Sequence, residues 1–312
     1  MKPTASVAAL LLAVTVMMAS PSGQVAPAAP QQTAPVFRAS ADVVTVDASV
    51  QRERRPVTGL AAADFELLDN GVPQEVTDLT YEKLPIDVTM VLDVSASVSG
   101  SVLDELRRAL RQVRTDLTAA DRLRLLAFNM RVRRLVDFTQ PWADVDQALS
   151  TLRPGGSSAV FDALAVALAT ADAPGRRRLI VLFSDGQDSS SISDPDALLD
   201  VARRSTPTIA TILASPVPER PASVLRTNAS LASATVEALS DRLAAETGGM
   251  VTSVKAGENL TPKFRRMVQD FRSSYVLYFS PRGVERAGPH SLEVRVKRPG
   301  VEVRARRGYV WR

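Results

Sequence analysis

An apolar run that ends abruptly in polar residues constrains the fold of this chain more than any other stretch. Residues 86–98 read Ile-Asp-Val-Thr-Met-Val-Leu-Asp-Val-Ser-Ala-Ser-Val. The apolar part is too short for a helix, and its β-branched and long aliphatic residues are typical of a strand buried on both faces in a parallel sheet. Ligands of open α/β sheets bind at the carboxyl ends of the strands. The sequence therefore predicts an α/β fold with a ligand site where this strand ends.

The polar residues that end the run are suited to a hard divalent cation. Asp93, Ser95 and Ser97 offer one carboxylate and two hydroxyl oxygens within one turn, and we expect Asp93 to lie in the loop with no contact to the core. Mg²⁺ prefers oxygen ligands and keeps part of its water shell. Asp and Ser are also common in turns and helix caps, where they only satisfy backbone N–H groups. The triplet alone leaves both interpretations open.

Strands alternate with helices over the next part of the chain. A continuous apolar run predicts a strand at residues 179–183, and further strands are predicted at 122–128, 208–213 and 250–254. Helices are predicted at 102–117, 236–246 and 259–273, and an Ala-rich helix at 159–171. A polar, Pro-bearing insertion is predicted at Pro216–Ala234. This alternation is typical of a doubly wound, mainly parallel Rossmann-like sheet with helices on both faces.

Two later loops carry the same kinds of residue at the predicted carboxyl edge of the sheet. Residues 155–158 read Gly-Gly-Ser-Ser and precede an Ala-rich predicted helix, whereas Asp185 follows a second continuous apolar run in the segment Ser-Asp-Gly. Because ligand sites of such sheets lie at this edge, we expect the three loops to meet there.

Together, and in this order, the three loops resemble the metal-ion-dependent adhesion site of von Willebrand factor type A domains, which is also found in integrin inserted domains. The resemblance covers residues 85–273. It implies that Ser95 and Ser97 bind a cation through their hydroxyls, and that Asp93 and Asp185 act mainly through bound water. It places Ser158 at the position of the family's threonine. Ser157 is the runner-up for that position. Ser157 and Asp188 are also candidates for the rim of the ligand site, and the alternative for Asp188 is a solvated acid in the loop.

The function implied by this resemblance is metal-dependent binding of another protein. The expected cation is Mg²⁺, or else Mn²⁺ or Ca²⁺, and the expected partner presents an Asp or Glu side chain. One alternative is a structural or assembly protein that uses the same fold without metal-dependent binding, and a Mg²⁺-dependent hydrolase is a more distant one. The chain is expected not to be an enzyme, since it has no G-x-S-x-G or P-loop motif and its single histidine, His290, is predicted at the surface.

Both ends of the chain are predicted to be β-structure. An Asn70-Gly71 turn predicts a hairpin whose return strand spans 72–81, and more strands are predicted at 274–279, 291–297 and 301–307. Each end alone leaves open strand edges, so we expect residues 39–84 and 274–312 to pack together as a β-sandwich-like domain beside the α/β domain at 85–273. One flank carries Val57-Thr-Gly-Leu and Asp64-Phe-Glu, and the other carries Tyr275-Val-Leu-Tyr and Arg307-Gly-Tyr. In these segments the flanks resemble an exported bacterial subgroup of such proteins, of the acidobacterial type.

The beginning of the chain predicts export. Residues 1–26 have one early lysine and an apolar core, which is typical of a signal peptide, and the Pro- and Ala-rich residues 27–38 are interpreted as a linker. We therefore expect a periplasmic or extracellular protein with no transmembrane segment after processing. The formal charge is +4, with arginines crowded after residue 281, and we interpret them as a solvated face and not as a nucleic-acid site. Cysteine is absent, so no disulfide forms.

Overall fold

A computed structural model describes residues 43–138, 143–170, 173–214, 228–255 and 257–311. The predicted signal peptide, the predicted linker and the first part of the predicted insertion, residues 216–227, lie outside the described residues. Among the helices that the structure describes, none has the length and apolar character needed to cross a membrane.

The described residues form fifteen strands and six α-helices. The strands are β1 (Val44–Arg52), β2 (Arg55–Pro56), β3 (Phe65–Asp69), β4 (Val72–Gln74), β5 (Asp78–Tyr81), β6 (Ile86–Asp93), β7 (Arg122–Phe128), β8 (Val132–Val136), β9 (Arg177–Ser184), β10 (Thr208–Ala214), β11 (Val251–Val254), β12 (Tyr275–Phe279), β13 (Gly288–Val296), β14 (Glu302–Ala305) and β15 (Gly308–Trp311). The helices are α1 (Ser101–Arg114), α2 (Ala143–Thr151), α3 (Val160–Leu168), α4 (Pro195–Arg203), α5 (Asn228–Thr247) and α6 (Thr261–Arg272).

The central sheet has the strand order β11-β10-β9-β6-β7-β8, and every pair of neighbours is parallel except β7 and β8. Helices α1, α2 and α6 pack on one face, and α3, α4 and α5 pack on the other. Every residue of β6 and β9 is consequently buried, as the continuous apolar runs predict. The predicted doubly wound, mainly parallel α/β fold is confirmed.

Two further sheets are built from both ends of the chain. Strand β1 pairs with β12 and with β14, and β5 completes that sheet beside β12; in the second sheet β13 lies between β3 and β15. Apolar residues of both sheets share one core, which includes Phe65 of β3 and Leu277 of β12. The two chain ends therefore form the predicted sandwich-like unit.

Three local predictions about the chain differ from the structure. The predicted return strand 72–81 is divided, because β4 pairs with β3 whereas β5 pairs with β12 of the other sheet. Helix α5 begins at Asn228, so the end of the predicted insertion Pro216–Ala234 is helical. His290 is 4% exposed and not at the surface: its Nδ1 lies 2.8 Å from Asp69 Oδ1, and the ring stacks on Tyr309.

The sandwich-like unit and the central sheet meet through buried, directional contacts. Arg177 at the start of β9 pairs with Asp47 of β1 at 2.6 Å and donates to the Phe271 carbonyl of α6 at 2.7 Å. Gly248, at φ +77°, lies so close to β14 that an added Cβ would stand 2.8 Å from the Ala305 carbonyl carbon. These contacts hold the amino ends of the parallel strands against the sandwich, and the opposite, carboxyl edge of the sheet carries the candidate site.

Candidate metal site

Backbone hydrogen bonds bring the predicted loops together at the carboxyl edge of the sheet. Strand β6 ends at Asp93 and β9 ends at Ser184, and the two strands are direct neighbours. The loop after β6 is tied to the Gly-Gly-Ser-Ser loop by two bonds, from Ala96 N to the Gly156 carbonyl at 3.0 Å and from Gly155 N to the Val94 carbonyl at 2.9 Å. The loops thus meet as the order of motifs predicts.

Asp93 lies at the centre of the site's hydrogen bonds and is completely buried. Its Oδ1 accepts from Ser95 N at 2.9 Å, and its Oδ2 accepts from the hydroxyls of Ser158 at 3.0 Å and Ser184 at 2.8 Å. The expectation that Asp93 lies in a loop without core contacts is wrong, because it is the last residue of a buried strand and collects three donors. Burial, with the nearby charge of Asp185, raises the pKa of Asp93 to about 6 against the lowering effect of these hydrogen bonds.

The predicted hydroxyl ligands lie around this carboxylate. Ser95 is buried and Ser97 is exposed, and their Oγ atoms are 3.1 Å apart. Ser158 is buried beside Asp93, whereas Ser157 is half-buried. The structure therefore presents three hydroxyls and one carboxylate in one cluster that opens to solvent at Ser97.

Asp185 supplies the second carboxylate and an unsatisfied atom. The residue is 8% exposed, and its Oδ1 accepts from Gln187 N at 3.1 Å. Its Oδ2 is buried without a hydrogen-bond partner. An unpaired buried acceptor costs about 1–3 kcal/mol, and more when it is charged, so this oxygen is suited to a cation. An all-oxygen donor set of two carboxylates and three hydroxyls fits a hard divalent ion.

No described group of three or more His, Asp or Glu side chains is arranged to hold a metal. The negative charge of the candidate site is accordingly limited to Asp93 and Asp185, with hydroxyls as the remaining donors. With both carboxylates ionised, the site carries two negative charges, which equals the charge of one divalent cation.

Asp188 is neither a solvated loop acid nor free to turn toward the hydroxyl cluster. Its Oδ2 accepts from Phe161 N at 3.1 Å and from the Ser191 hydroxyl at 2.5 Å, and its Oδ1 accepts from Ser191 N at 3.1 Å. Asp188 thereby joins the start of α3 to the loop that follows β9. A role of Asp188 and Ser157 in the ligand rim stays a prediction.

Ser184 is a part of the site that the sequence reasoning did not single out. Its fully buried hydroxyl donates to Asp93 and accepts from Gly186 N at 3.1 Å. Its position in the sequence could have indicated this role. Ser184 ends the apolar strand β9, and a buried serine at such a place needs a polar partner, which Asp93 at the end of β6 provides.

Comparisons with known proteins find similarity over part of the chain. A family model described as the von Willebrand factor type A domain matches residues 88–187. Comparison with curated proteins gives no match. A structure titled von Willebrand factor type A from Catenulispora acidiphila is 13% identical, covers 88% of this chain and 75% of that chain, and has a TM-score of 0.49.

Two other solved structures are similar to a smaller part of the chain. An aerotolerance-related membrane protein from Bacteroides fragilis is 16% identical, covers 60% of this chain and 98% of that chain, and has a TM-score of 0.47. The corresponding domain of the type V pili tip protein Mfa5 from Porphyromonas gingivalis is 15% identical, covers 60% of this chain and 94% of that chain, and has a TM-score of 0.45. The match of the family model over β6, β9 and the loops that follow them identifies the chain as one that contains a von Willebrand factor type A domain.

Proposed function

We propose that this chain is an exported, Mg²⁺-dependent protein-binding module that engages an acidic side chain of its partner. The observation that carries the proposal is the buried Asp185 Oδ2, which has no hydrogen-bond partner within a cluster of oxygen donors. A von Willebrand factor type A domain generally mediates protein interaction, which agrees with this function.

The residues divide the work of holding a cation. Ser95, Ser97 and Ser158 supply neutral hydroxyl oxygens, whereas Asp93 and Asp185 supply charge. A bound Mg²⁺ would add a positive centre with a coordination position that a carboxylate from another protein can take. Ser184 and the Ser95 backbone N–H hold Asp93 in place, so that the carboxylate keeps its orientation. Mn²⁺ or Ca²⁺ has the same preference for oxygen and is the alternative ion.

A partner carboxylate would complete the charge balance of such a site. Direct ligation by hydroxyls would leave the charge of a divalent cation poorly neutralised, because we expect Asp93 and Asp185 to act mainly through bound water. Since the hydroxyls contribute no charge, an Asp or Glu side chain of another protein is the expected further ligand. The proposal therefore couples metal binding to partner binding.

The proposal is tested by capture from the exported proteins of the source cell. The full chain is immobilised and challenged in Mg²⁺ and in EDTA, beside Asp185→Asn and a control variant, Asp200→Asn, whose carboxylate is exposed on α4. We expect a partner that is retained by the wild type and by Asp200→Asn in Mg²⁺, and that is lost with EDTA or with Asp185→Asn. Partners that bind equally well under all these conditions would refute the metal-dependent function.

A further inference from the structure

Two features with accessible apolar surface adjoin the loops of the candidate metal site. The first is Ile192, on the loop between β9 and α4, whose side chain is 95% exposed. The second is a cavity of about 230 Å³ beside α1, on the face that α1 and α6 cover. Neither feature was found from the sequence, because exposure and cavity shape depend on contacts between distant segments.

Ile192 is exposed although the backbone around it is firmly held. Its N–H donates to the Asp162 carboxylate at 3.1 Å, and Ser193 N donates to the same carboxylate at 2.8 Å. The preceding residues Ser189 and Ser190 both donate through their backbone N–H groups to the Ser158 carbonyl, at 2.9 and 3.0 Å. The loop that presents Ile192 is thus bonded directly to a proposed metal ligand.

This fixed backbone gives Ile192 the properties of a binding anchor. Single exposed apolar residues are common on protein surfaces and need no special explanation. Ordering of loops and side chains is a main cost of association, however, and a side chain on a pre-ordered loop avoids part of that cost. Burial alone would raise the pKa of the Asp162 carboxyl, but the hydrogen bonds from Ser193 and Ile192 hold it below its ordinary value, so they stabilise the charged form that accepts them.

The cavity adjoins the metal site through a shared wall. Ser97 and Asp185 line it, and so does an apolar set consisting of Val98, Val102, Ala214, Val254 and Leu260. The charged residues Glu105, Arg108, Lys255 and Glu258 form another part of the lining. An apolar cavity of about 150 Å³ is large enough to hold benzene. This larger space accommodates a Leu, Met or Phe side chain of a segment whose acidic residue lies at the metal site.

We propose that the site recognises a partner segment in which an acidic residue has large apolar neighbours within a few positions. The acidic side chain lies at the Asp93–Asp185 cluster, one apolar side chain enters the cavity beside α1, and another packs on Ile192. This inference rests on the proposed function, since the acidic residue is selected through the metal. The apolar contacts add what a single metal–carboxylate bond lacks, which is selectivity among acidic segments.

Panning of a random heptapeptide display library on the immobilised full chain in Mg²⁺ tests the inference. We expect enrichment of peptides that contain Asp or Glu with a large apolar residue within three positions. The best peptide is then synthesised, and its Kd is measured by fluorescence polarisation.

Two variants probe the two apolar contacts separately. Ile192→Ser removes the exposed anchor, and Val102→Phe fills the cavity from the half-buried start of α1. Each is expected to weaken peptide binding about tenfold, which corresponds to the loss of one buried aliphatic contact. The matched control is Val201→Ser, an apolar residue of α4 that is 46% exposed, and it should leave the Kd unchanged. Because Ile192→Ser changes only an exposed side chain, it reports on binding even where Val102→Phe disturbs the fold.

The outcomes separate the inference from the function beneath it. Mg²⁺-dependent peptides that are acidic but have no apolar preference, or that bind Ile192→Ser as tightly as the wild type, overturn the inference and leave metal-dependent binding intact. Enriched peptides whose binding survives EDTA overturn the proposed function and this inference with it. The absence of any enrichment of acidic peptides likewise overturns the inference.

Discussion

Asp185→Asn is expected to be at least as stable as the wild type in chelator and less stable than the wild type in Mg²⁺. Asparagine keeps a side-chain oxygen that can accept from Gln187 N, but it removes a buried charge whose Oδ2 has no hydrogen-bond partner. It also removes the negative charge that raises the pKa of Asp93. The wild type bears the cost of an unpaired buried acceptor, which is about 1–3 kcal/mol. The variant removes this cost but adds buried amide N–H groups that also need partners, so its net gain in stability is smaller. In EDTA we therefore expect the variant to match the wild type or to be up to about 1 kcal/mol more stable.

Mg²⁺ should stabilise the wild type and leave the variant nearly unchanged. A ligand at ten times its Kd that binds only the folded state adds RT ln 11, or about 1.4 kcal/mol, to the free energy of unfolding. A change of 1 kcal/mol moves the Tm of a chain of this size by about 2–4 °C, so the wild type should gain about 3–6 °C. With its second carboxylate neutralised, the variant should gain less than about 1 °C at the same concentration.

The measurement is thermal and urea unfolding, followed by circular dichroism, of both proteins over a Mg²⁺ series and in EDTA. Asp200→Asn, whose carboxylate is exposed and paired with Arg203, controls for the loss of one surface charge and should respond to Mg²⁺ as the wild type does. Equal Mg²⁺ shifts in wild type and Asp185→Asn would refute the assignment of Asp185 as a ligand. A loss above about 2 kcal/mol for the variant in EDTA would show instead that the carboxylate supports the fold by itself.

Three further predictions concern stability. Asp93→Ala should lower the free energy of unfolding by about 1–3 kcal/mol even in EDTA, because two buried serine hydroxyls lose their acceptor, and an unchanged urea midpoint would contradict this. Burial alone would raise the pKa of Asp121, but the Arg272 guanidinium and backbone N–H groups hold it below its ordinary value of 3.8. The ionised Asp121 therefore stabilises the folded state above pH 3.8, and this contribution is lost as the pH falls further. Arg272→Met should reduce this acid-induced loss, as measured by urea unfolding over a pH series. Gly248→Ala should destabilise the fold several times more than Gly59→Ala in thermal unfolding. Both glycines have a positive φ, but only Gly248 has backbone atoms within 3 Å of an added Cβ. Similar losses of stability would show that the backbone of β14 moves aside at little cost.

The central sheet was predictable because its signals are local. A strand covered by helices on both faces needs apolar side chains in continuous order, and β6 and β9 show such runs in the sequence. Turn residues at the ends of those strands then indicate the edge where a ligand site forms. The positions of Ser95, Ser97 and Asp185 follow from these two facts, whereas Ser158 was placed by the resemblance to the family, and the metal role of all four stays a prediction.

Features that depend on partners far apart in sequence were not predictable in the same way. His290 reads as a surface residue because nothing near it indicates burial, whereas the structure pairs it with Asp69, more than two hundred residues earlier. Asp188 likewise reads as a loop acid until α3 is placed beside it. The predicted hairpin strand divides because β12, from the other end of the chain, offers β5 a better-placed edge than β3 does.

Helix α6 connects the cavity with the sandwich-like unit, and both of its ends are anchored. At the cavity, the backbone N–H of Leu260 donates to Glu105 of α1 at 3.2 Å. At the other end, Arg177 binds the Phe271 carbonyl and Asp47 of β1 together, and strand β12 starts three residues after Arg272. An axial shift of α6 would have to break the two hydrogen bonds from Arg177 to the Phe271 and Arg272 carbonyls, and each hydrogen bond made by a charged group contributes about 1.5–3 kcal/mol. A single apolar side chain entering the cavity contributes about 1.5–3 kcal/mol, so that contact alone does not suffice to move the helix. The arrangement therefore favours a rigid recognition site, in which Leu260 at the start of α6 lines the cavity and the helix holds its place when a partner binds.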